Sequence, residues 1–316
     1  MIIDLNETTV SKVAKKLVSV REEGGAVALG RVLTLIIKSD RRPVEEAIEA
    51  ANAASREHPM RVIVLVTHPE DAPRLDAQIR VGGDAGASEV IILRAHGEAS
   101  NNPESLITGL LLPDAPVVVW WPENAPEAPS QDALGRIAHR RITDASRASN
   151  AADRIAKLSA SSTPGDTDLA WTRLTRWREQ LASVLDQPPF EPVTAVDVRG
   201  AASSPSTPLL AAWLGMALDA PVTWTPEAPS EWDHGIHSVR LTRASGDILL
   251  ERRTATHAVL TQPGQPSHEI VLARRSLREC LAEELRRLDA DPLYGRVIEE
   301  GWNALSHPTT AEEAGA

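Results

Sequence analysis

Cysteine is almost absent from this chain of 316 residues, because Cys280 is its single example. One cysteine excludes a disulfide bond within the chain and any paired-cysteine redox or zinc motif. Phenylalanine and tyrosine are equally scarce, at one residue each, although there are eight tryptophans. Apolar runs long enough to cross a bilayer, about 18 residues or more, are missing. The first residues, MIIDLNETTV, lack the basic-then-apolar order of a secretory signal, so we expect a cytoplasmic protein.

The balance of charge is acidic, with 33 lysine and arginine residues against 44 aspartate and glutamate residues. A net charge of −11 makes nucleic acid and anionic membranes poor candidates as partners. Hydrophobic residues make up 42% of the chain, which is enough to build a packed core. The length itself favours two domains.

Motifs for catalysis and for cofactor or metal binding are also missing. The sequence has no P-loop, no nucleophile elbow and no zinc-binding H-E-x-x-H. His234 and His237 have a spacing seen in metal sites, but no third ligand is nearby, and exposed loop histidines are the favoured interpretation. Cys280 lies beside a leucine stripe and is expected to be a buried, inert thiol. We therefore predict no catalytic residues, no metal and no cofactor.

Strand and helix patterns alternate in the first half of the chain. Near-continuous apolar runs at residues 33–37, 62–66, 91–93 and 117–121 are typical of strands that are buried on both faces. Amphipathic helical patterns separate the early runs. Residues 1–158 are therefore predicted to form an α/β domain, with a doubly wound, mostly parallel sheet and helices on both of its faces.

The domain boundaries are predicted from changes in composition. Residues 159–168, SASSTPGDTD, are small and polar and are predicted to be a linker. Residues 169–308 then form a second domain that mixes helices and strands, and residues 309–316 are expected to be disordered. Within the first domain, residues 76–81 are expected to be a short strand or a sheet edge. Helical segments are expected around residues 140–144.

The second domain is predicted from helical stripes followed by strands. Helices are expected over residues 169–185 and 205–220, because apolar residues recur there at helical spacing. Short strand patterns joined by turn residues over 239–273 predict an antiparallel meander. Ser276 and Glu279 have the spacing of a capping box, so a helix is expected to begin there and to cover the meander.

A glycine cluster at residues 82–86 is the nearest feature to a phosphate-binding turn. It precedes a strand rather than a helix, so it lacks the helix amides that hold a phosphate in dinucleotide-binding proteins. A tight turn with positive φ is the favoured interpretation. Ligand binding by Arg80, Gly83 and Asp84 is the alternative.

Arginines, tryptophans and one histidine form the second set of candidates, because arginine and tryptophan are enriched at protein–protein hot spots. They lie mainly in two segments, residues 53–61 and 168–178. The alternative is that the basic residues complement a helix dipole and that the tryptophans are core. The predicted partner-binding residues are Arg56, His58, Arg61, Trp121, Trp171, Arg173, Trp177 and Arg178.

Six stretches of the sequence together resemble the glucose-6-phosphate dehydrogenase assembly protein family, also called OpcA, of actinobacterial type. The resemblance covers residues 1–295 approximately, and its segments are long and specific. The stretches are EEGGAVALGRVLTLII (22–37), AASREHPMRVIVL (53–65), LDAQIRVGGDAGASEVIIL (75–93), LLLPDAPVVVWWP (110–122), RRITDAS (140–146) and DLAWTRLTRWREQLA (168–182).

The resemblance implies a non-catalytic accessory protein. Members of the family associate with glucose-6-phosphate dehydrogenase, promote its active oligomer and raise its activity, which increases NADPH supply in the oxidative pentose phosphate pathway. An alternative from the residues alone is an enzyme that binds a sugar phosphate or nucleotide in a cleft at the carboxyl edge of the first sheet.

Overall fold

The computed structural model describes residues 1–23, 30–40, 44–82, 89–228 and 235–306. Its fourteen strands within those ranges are β1 (Ile2–Leu5), β2 (Leu33–Ser39), β3 (Met60–His68), β4 (Arg74–Arg80), β5 (Glu89–His96), β6 (Val117–Trp120), β7 (Arg140–Thr143), β8 (Asp166–Asp168), β9 (Ala195–Ala201), β10 (Val222–Glu227), β11 (Ile236–Thr242), β12 (Ile248–Arg252), β13 (His257–Thr261) and β14 (His268–Val271).

The α-helices of the same ranges are short to medium in length, and within the described residues none is long and apolar enough to cross a membrane. They are α1 (Val10–Glu23), α2 (Glu45–Ala54), α3 (Pro103–Thr108), α4 (Ala133–Arg136), α5 (Ala151–Ser161), α6 (Leu169–Thr172), α7 (Thr175–Leu185), α8 (Ser206–Leu218), α9 (Leu277–Arg286), α10 (Pro292–Arg296) and α11 (Trp302–Ser306).

These elements form two compact units, and neither unit is continuous in sequence. The first consists of Met1–Asp144, Gly165–Thr167 and Ser276–Ala290, within the described residues. The second consists of Ala145–Pro164, Asp168–Arg275 and Asp291–Ala316, again within the described residues. The predicted tail, residues 309–316, lies outside them.

The segment predicted as a linker, residues 159–168, is largely regular structure. Its first residues complete α5, where the Ser161 hydroxyl donates to the Lys157 carbonyl at 3.0 Å. Its last residues form β8. Small polar residues are compatible with both elements, because a serine hydroxyl can bond to the helix backbone one turn earlier.

The first unit contains an eight-stranded sheet in the order β1-β4-β5-β3-β2-β6-β7-β8. The strands from β5 to β7 are parallel, whereas β1 and β4 are antiparallel additions. Chain order reverses direction between β2 and β6, as in a doubly wound sheet. The predicted α/β class and mostly parallel sheet are confirmed. The segment predicted as a short strand or an edge is β4, which lies between β1 and β5.

Two elements of the first unit differ from the prediction. The segment around residues 140–144, expected to be helical, is β7, which pairs in parallel with β6. The helix expected to cover the meander is α9, which instead belongs to the first unit and packs against α2. Its capping box is present as predicted, with Ser276 and Glu279 satisfying each other's backbone N–H groups.

A buried ion pair fixes α9 within the first unit. The Arg140 guanidinium on β7 donates to the Glu284 carboxylate on α9, and both side chains are buried. The same guanidinium donates to the Asp289 carbonyl at 2.6 Å. Because its charge is paired with a carboxylate, an arginine can occupy this buried strand position.

The second unit contains a six-stranded sheet in the order β10-β9-β11-β12-β13-β14. The antiparallel meander is confirmed over β11 to β14, and β10 pairs in parallel with β9. Gly246 and Gly264 occupy the β11–β12 and β13–β14 turns with φ of 119° and 70°, which glycine adopts without strain. The helix predicted over 169–185 is divided into α6 and α7, while α8 is apolar on most faces and largely buried, as expected.

Candidate partner-binding segments and a basic cavity

The first predicted partner-binding segment follows α2 and leads into β3. Arg56 is exposed in the turn after the helix, and His58 is half-buried. Between them, the Glu57 carboxylate pairs with Arg286 of α9 at 2.7 Å. This hydrogen bond and the charge of Arg286 hold the pKa of Glu57 below its ordinary value. The segment therefore presents a positively charged side chain at the surface at Arg56.

Arg61, predicted to bind a partner, is instead a buried structural residue. It lies directly opposite Glu89 across the β3–β5 pair, and its Nε donates to the Glu89 carboxylate at 2.9 Å. A second donor of the same guanidinium bonds to the Leu110 carbonyl. Arg31 completes the cluster at 2.8 Å from the other Glu89 oxygen. Because Arg61 is only 6% exposed, the prediction is corrected by its burial.

Arg80, predicted to bind a ligand, already holds a carboxylate. Its two terminal nitrogens donate to the two Glu45 oxygens, each at 2.9 Å. This bidentate pair lowers the pKa of Glu45. Glu45 stands in the first turn of α2, where a negative charge is favourable. The other two predicted ligand residues, Gly83 and Asp84, lie outside the described residues.

A histidine–carboxylate cluster occupies the carboxyl ends of β3 and β5. The rings of His68 and His96 stack with centroids 4.8 Å apart. His96 Nδ1 lies 2.7 Å from an Asp71 oxygen, and its Nε2 lies 3.4 Å from Arg74 and 3.5 Å from Asp76. Both ring nitrogens therefore face protein groups, and His96 is only 3% exposed. A general base needs a nitrogen within reach of a substrate, which this arrangement does not offer.

Asp76 gives the first unit a predictable response to acid. The Glu7 backbone N–H and the Arg74 guanidinium stabilise its charged form and lower its pKa from the ordinary 3.8. A carboxyl whose pKa is lower in the folded state stabilises the fold above its unfolded pKa. That stability is lost as pH falls through the folded value. We expect the urea concentration at the unfolding midpoint to decrease as the pH is lowered below about 4. This decrease should be smaller in Asp76→Asn than in the unaltered protein. Equal slopes in the two proteins would contradict the prediction.

The three predicted partner-binding tryptophans are core residues, the alternative weighed from the sequence. Trp121 is 2% exposed, Trp171 is 1% and Trp177 is 4%. Trp121 belongs to the core of the first sheet, and the other two to the core of the second unit. Buried indoles gain apolar contacts within the chain, so they present almost no area to a partner.

Trp171 stands at the centre of a small network in the second unit. Its indole N–H donates to Asp291 at 2.9 Å, and the other Asp291 oxygen caps α10. The Tyr294 ring lies 6.0 Å away by centroid. The Arg178 guanidinium covers the indole at 3.8 Å, a cation–π contact. Arg178, predicted to bind a partner, is thus packed on the core.

Arg173, the remaining predicted partner-binding residue, lines a cavity of about 390 Å³ in the second unit. Arginines from four stretches of chain line it, together with Trp177 and serines at the start of α8. Its lining includes no acidic side chain among the described residues. The charged and hydroxyl-bearing residues of the lining are Ser146, Arg147, Arg173, Arg176, Ser203, Ser204, Ser206, Arg252, Arg274 and Arg275.

Sequence reasoning found only one of these arginines. The others are scattered from residue 147 to residue 275, and the folding of the chain brings them together. The dipeptide Arg274-Arg275 and the arginines of the 168–178 segment are the local signals in the sequence. The metal site considered at His234 and His237 is not assembled in the described residues: His234 lies outside them, and His237 Nδ1 lies 2.5 Å from Glu227. Cys280 is buried, as predicted.

Two family models match this chain. Residues 51–160 match the glucose-6-phosphate dehydrogenase subunit N-terminal domain, and residues 164–298 match the C-terminal domain of the same subunit. A curated Synechocystis protein described as the OxPP cycle protein OpcA is 28% identical over 158 residues. That alignment covers 46% of this chain and 33% of the relative, so the match spans about a third of the relative's length.

Two solved structures are weakly similar to the chain. One is glucose-6-phosphate 1-dehydrogenase from Mycobacterium avium, with a TM-score of 0.44, 11% identity, and coverage of 88% of this chain and 92% of that one. The other is an oxidoreductase from Sinorhizobium meliloti, with a TM-score of 0.45, 12% identity, and coverage of 90% and 98%. Both TM-scores are low.

Proposed function

This chain belongs to the glucose-6-phosphate dehydrogenase assembly protein family, OpcA, and on that premise we propose that it is an accessory protein of glucose-6-phosphate dehydrogenase. It binds the dehydrogenase, favours the active oligomer and raises activity, without catalysing a reaction itself. The observation that carries the proposal is the pair of family matches, because together they extend through most of both units.

The side chains that could bind a substrate or transfer a proton are held by other groups of the protein, which supports an accessory role. Arg61, predicted to bind a partner, and Arg80, predicted to bind a ligand, are each held by a carboxylate of the same unit. His96, at the carboxyl edge of the sheet, has both ring nitrogens against protein groups. Side chains held this way stabilise the fold, and they offer a substrate no ready acid or base.

Activation requires differential binding. An accessory protein shifts an equilibrium between two oligomers only by the difference in its affinity for them. A coupling free energy of about 1–3 kcal/mol would change an apparent affinity about 5- to 150-fold. The proposed activity therefore needs a surface that contacts the active oligomer better than the inactive one.

The test is the rate of the dehydrogenase against glucose-6-phosphate concentration, with and without saturating amounts of this protein. We expect a higher maximal rate or a lower half-saturation concentration, together with a larger oligomer by light scattering. If neither kinetic parameter changes, activation is contradicted. Slower thermal inactivation of the dehydrogenase with unchanged kinetics would identify a passive scaffold instead.

We propose that Arg56 contributes to the partner surface, because it is the exposed arginine of the 53–61 segment. Arg56→Glu is expected to weaken binding to the dehydrogenase at least about tenfold by titration calorimetry, as charge reversal at an interface arginine should. Arg136→Glu, at an exposed arginine of the same unit, is the matched control and should bind as the unaltered protein does. Equal affinities for both variants would remove Arg56 from the interface.

A further inference from the structure

We propose that two copies of this chain associate through β10, the strand at one end of the six-stranded sheet of the second unit. The two β10 strands pair antiparallel about a two-fold axis at Trp224 and join the two sheets into one. The proposal does not rest on binding of the dehydrogenase. It depends on the position of β10, on the direction of its backbone groups, and on the lack of charge around it.

β10 is an edge strand. Among the described residues it is the last strand of its sheet, because β9 lies on one side of it and no strand lies on the other. Side chains along it reach solvent: Pro221, Thr223 and Pro226 are exposed, and Trp224 is half-buried. An accessible edge strand can take up a strand of another molecule through main-chain hydrogen bonds.

The backbone of β10 directs every second residue away from β9. The Val196 N–H donates to the Pro221 carbonyl at 2.9 Å, and parallel pairing repeats this pattern, so the odd-numbered residues of β10 bond to β9. The even-numbered residues therefore point their N–H and C=O groups to the open side of the strand; they are Val222, Trp224 and Pro226. Pro226 has no N–H, which is compatible with an edge position.

A second copy of β10 offers the matching set of donors and acceptors. With Trp224 opposite its own counterpart, residues 222–226 of the two strands overlap, and the N–H groups of Val222 and Trp224 in each copy meet a carbonyl. An axis at Thr225 would instead place Pro226 opposite Trp224, where the ladder needs an N–H that proline lacks. The axis at Trp224 therefore uses every outward N–H that the overlapping residues have.

The charge of this surface favours a second copy as the partner. Residues 200–226 contain one charged side chain, Asp219, although 24% of the whole chain is charged. Burial of α8 accounts for its leucines, but it does not account for the lack of charge at the exposed Ala217, Pro221 and Thr223. Two chains that each carry a net charge of −11 repel one another, so they approach most readily where neither is charged.

The helix α8 extends the apolar core of the second unit to this edge. A Cβ atom at Gly215 would lie 2.9 Å from the Val222 side chain, so the helix packs closely on β10. Trp213 and Met216 of the helix and Trp224 of the strand are half-buried against the core. Tryptophan and methionine are enriched at protein interfaces. Pairing across the axis would bury the remaining exposed area of Trp224.

Sedimentation velocity of the full chain, without the dehydrogenase, tests the association. We expect a monomer–dimer equilibrium in which the dimer predominates at high micromolar concentration. Thr223→Lys with Thr225→Lys places lysines opposite one another across the axis and is expected to raise the Kd of the dimer at least about tenfold. Thr223→Glu with Thr225→Lys places opposite charges there and should retain the dimer. Thr261→Lys, on β13 of the same sheet, is the matched control and should dimerise as the unaltered chain does.

Cysteine crosslinking locates the axis. In the proposed pairing Thr223 of one copy lies opposite Thr225 of the other, at a position where antiparallel strands are close enough for a disulfide. A mixture of Thr223→Cys and Thr225→Cys should therefore crosslink on mild oxidation, and neither variant should do so alone, because Cys280 is buried. The proposal fails if the chain is monomeric at every concentration, if the two-lysine variant dimerises as the unaltered chain does, or if the mixture does not crosslink. It also fails if β10 crosslinks only to added dehydrogenase.

Discussion

Glu89→Ala is expected to lower the free energy of unfolding of the first unit by about 3–5 kcal/mol. The substitution removes the carboxylate that faces Arg61 across the β3–β5 pair and leaves a buried guanidinium without its counter-charge. Taking a charge out of water without a partner is strongly unfavourable, whereas an exposed pair contributes little. Urea denaturation, monitored by hydrogen exchange of the β3 and β5 amides, measures the loss of stability in this unit.

The control variants separate charge from packing. Glu57→Gln breaks an exposed pair with Arg286 in the same unit and should leave the urea midpoint unchanged. The double variant Arg61→Met with Glu89→Met removes both charges at similar volume, and should recover most of the stability lost in Glu89→Ala. If Glu89→Ala is as stable as the unaltered protein, the ion pair does not stabilise the pairing of β3 with β5.

Trp171→Ala is expected to destabilise the second unit by about 3–5 kcal/mol. The indole is fully buried in the core, donates to Asp291 and lies under Arg178. Truncation opens a cavity, and it also removes a hydrogen bond from the residue that caps α10. Urea denaturation monitored by the circular dichroism of the folded chain gives the change.

Trp171→Phe is the matched variant, because it retains an aromatic ring and loses the indole N–H. It should lose less stability than Trp171→Ala, with about 0.5–1.5 kcal/mol attributable to the hydrogen bond. If Trp171→Ala kept full stability and instead weakened binding to the dehydrogenase, the residue would belong to an interface and not to the core.

Much of the first sheet could be predicted because burial on both faces produces a direct signal. The continuous apolar runs at β2, β3, β5 and β6 predict interior strands directly. β7 gave no such signal, because it begins with two arginines. Those arginines are buried through partners far along the chain, Glu284 and Asp166, which local patterning does not reveal.

The candidate site shows the same limit. Arg61 and the tryptophans have the residue types of a hot spot, but type alone does not distinguish a surface from a core. The distinction depends on the group that each side chain contacts, such as Glu89 for Arg61 or Asp291 for Trp171. Those contacts are set by the register of the strands and the positions of the helices. The arginines of the cavity could not be grouped from the sequence, because they come from helical segments, a strand end and a loop that span over a hundred residues.

The pair between Arg140 and Glu284 also constrains the order of events during synthesis. The two residues are 144 positions apart. At about 5–20 residues per second, a ribosome adds Glu284 roughly 7–30 s after Arg140. During that interval Arg140 lacks the carboxylate that pairs with it in the folded chain. The first unit is therefore completed only after residues 276–290 have been made.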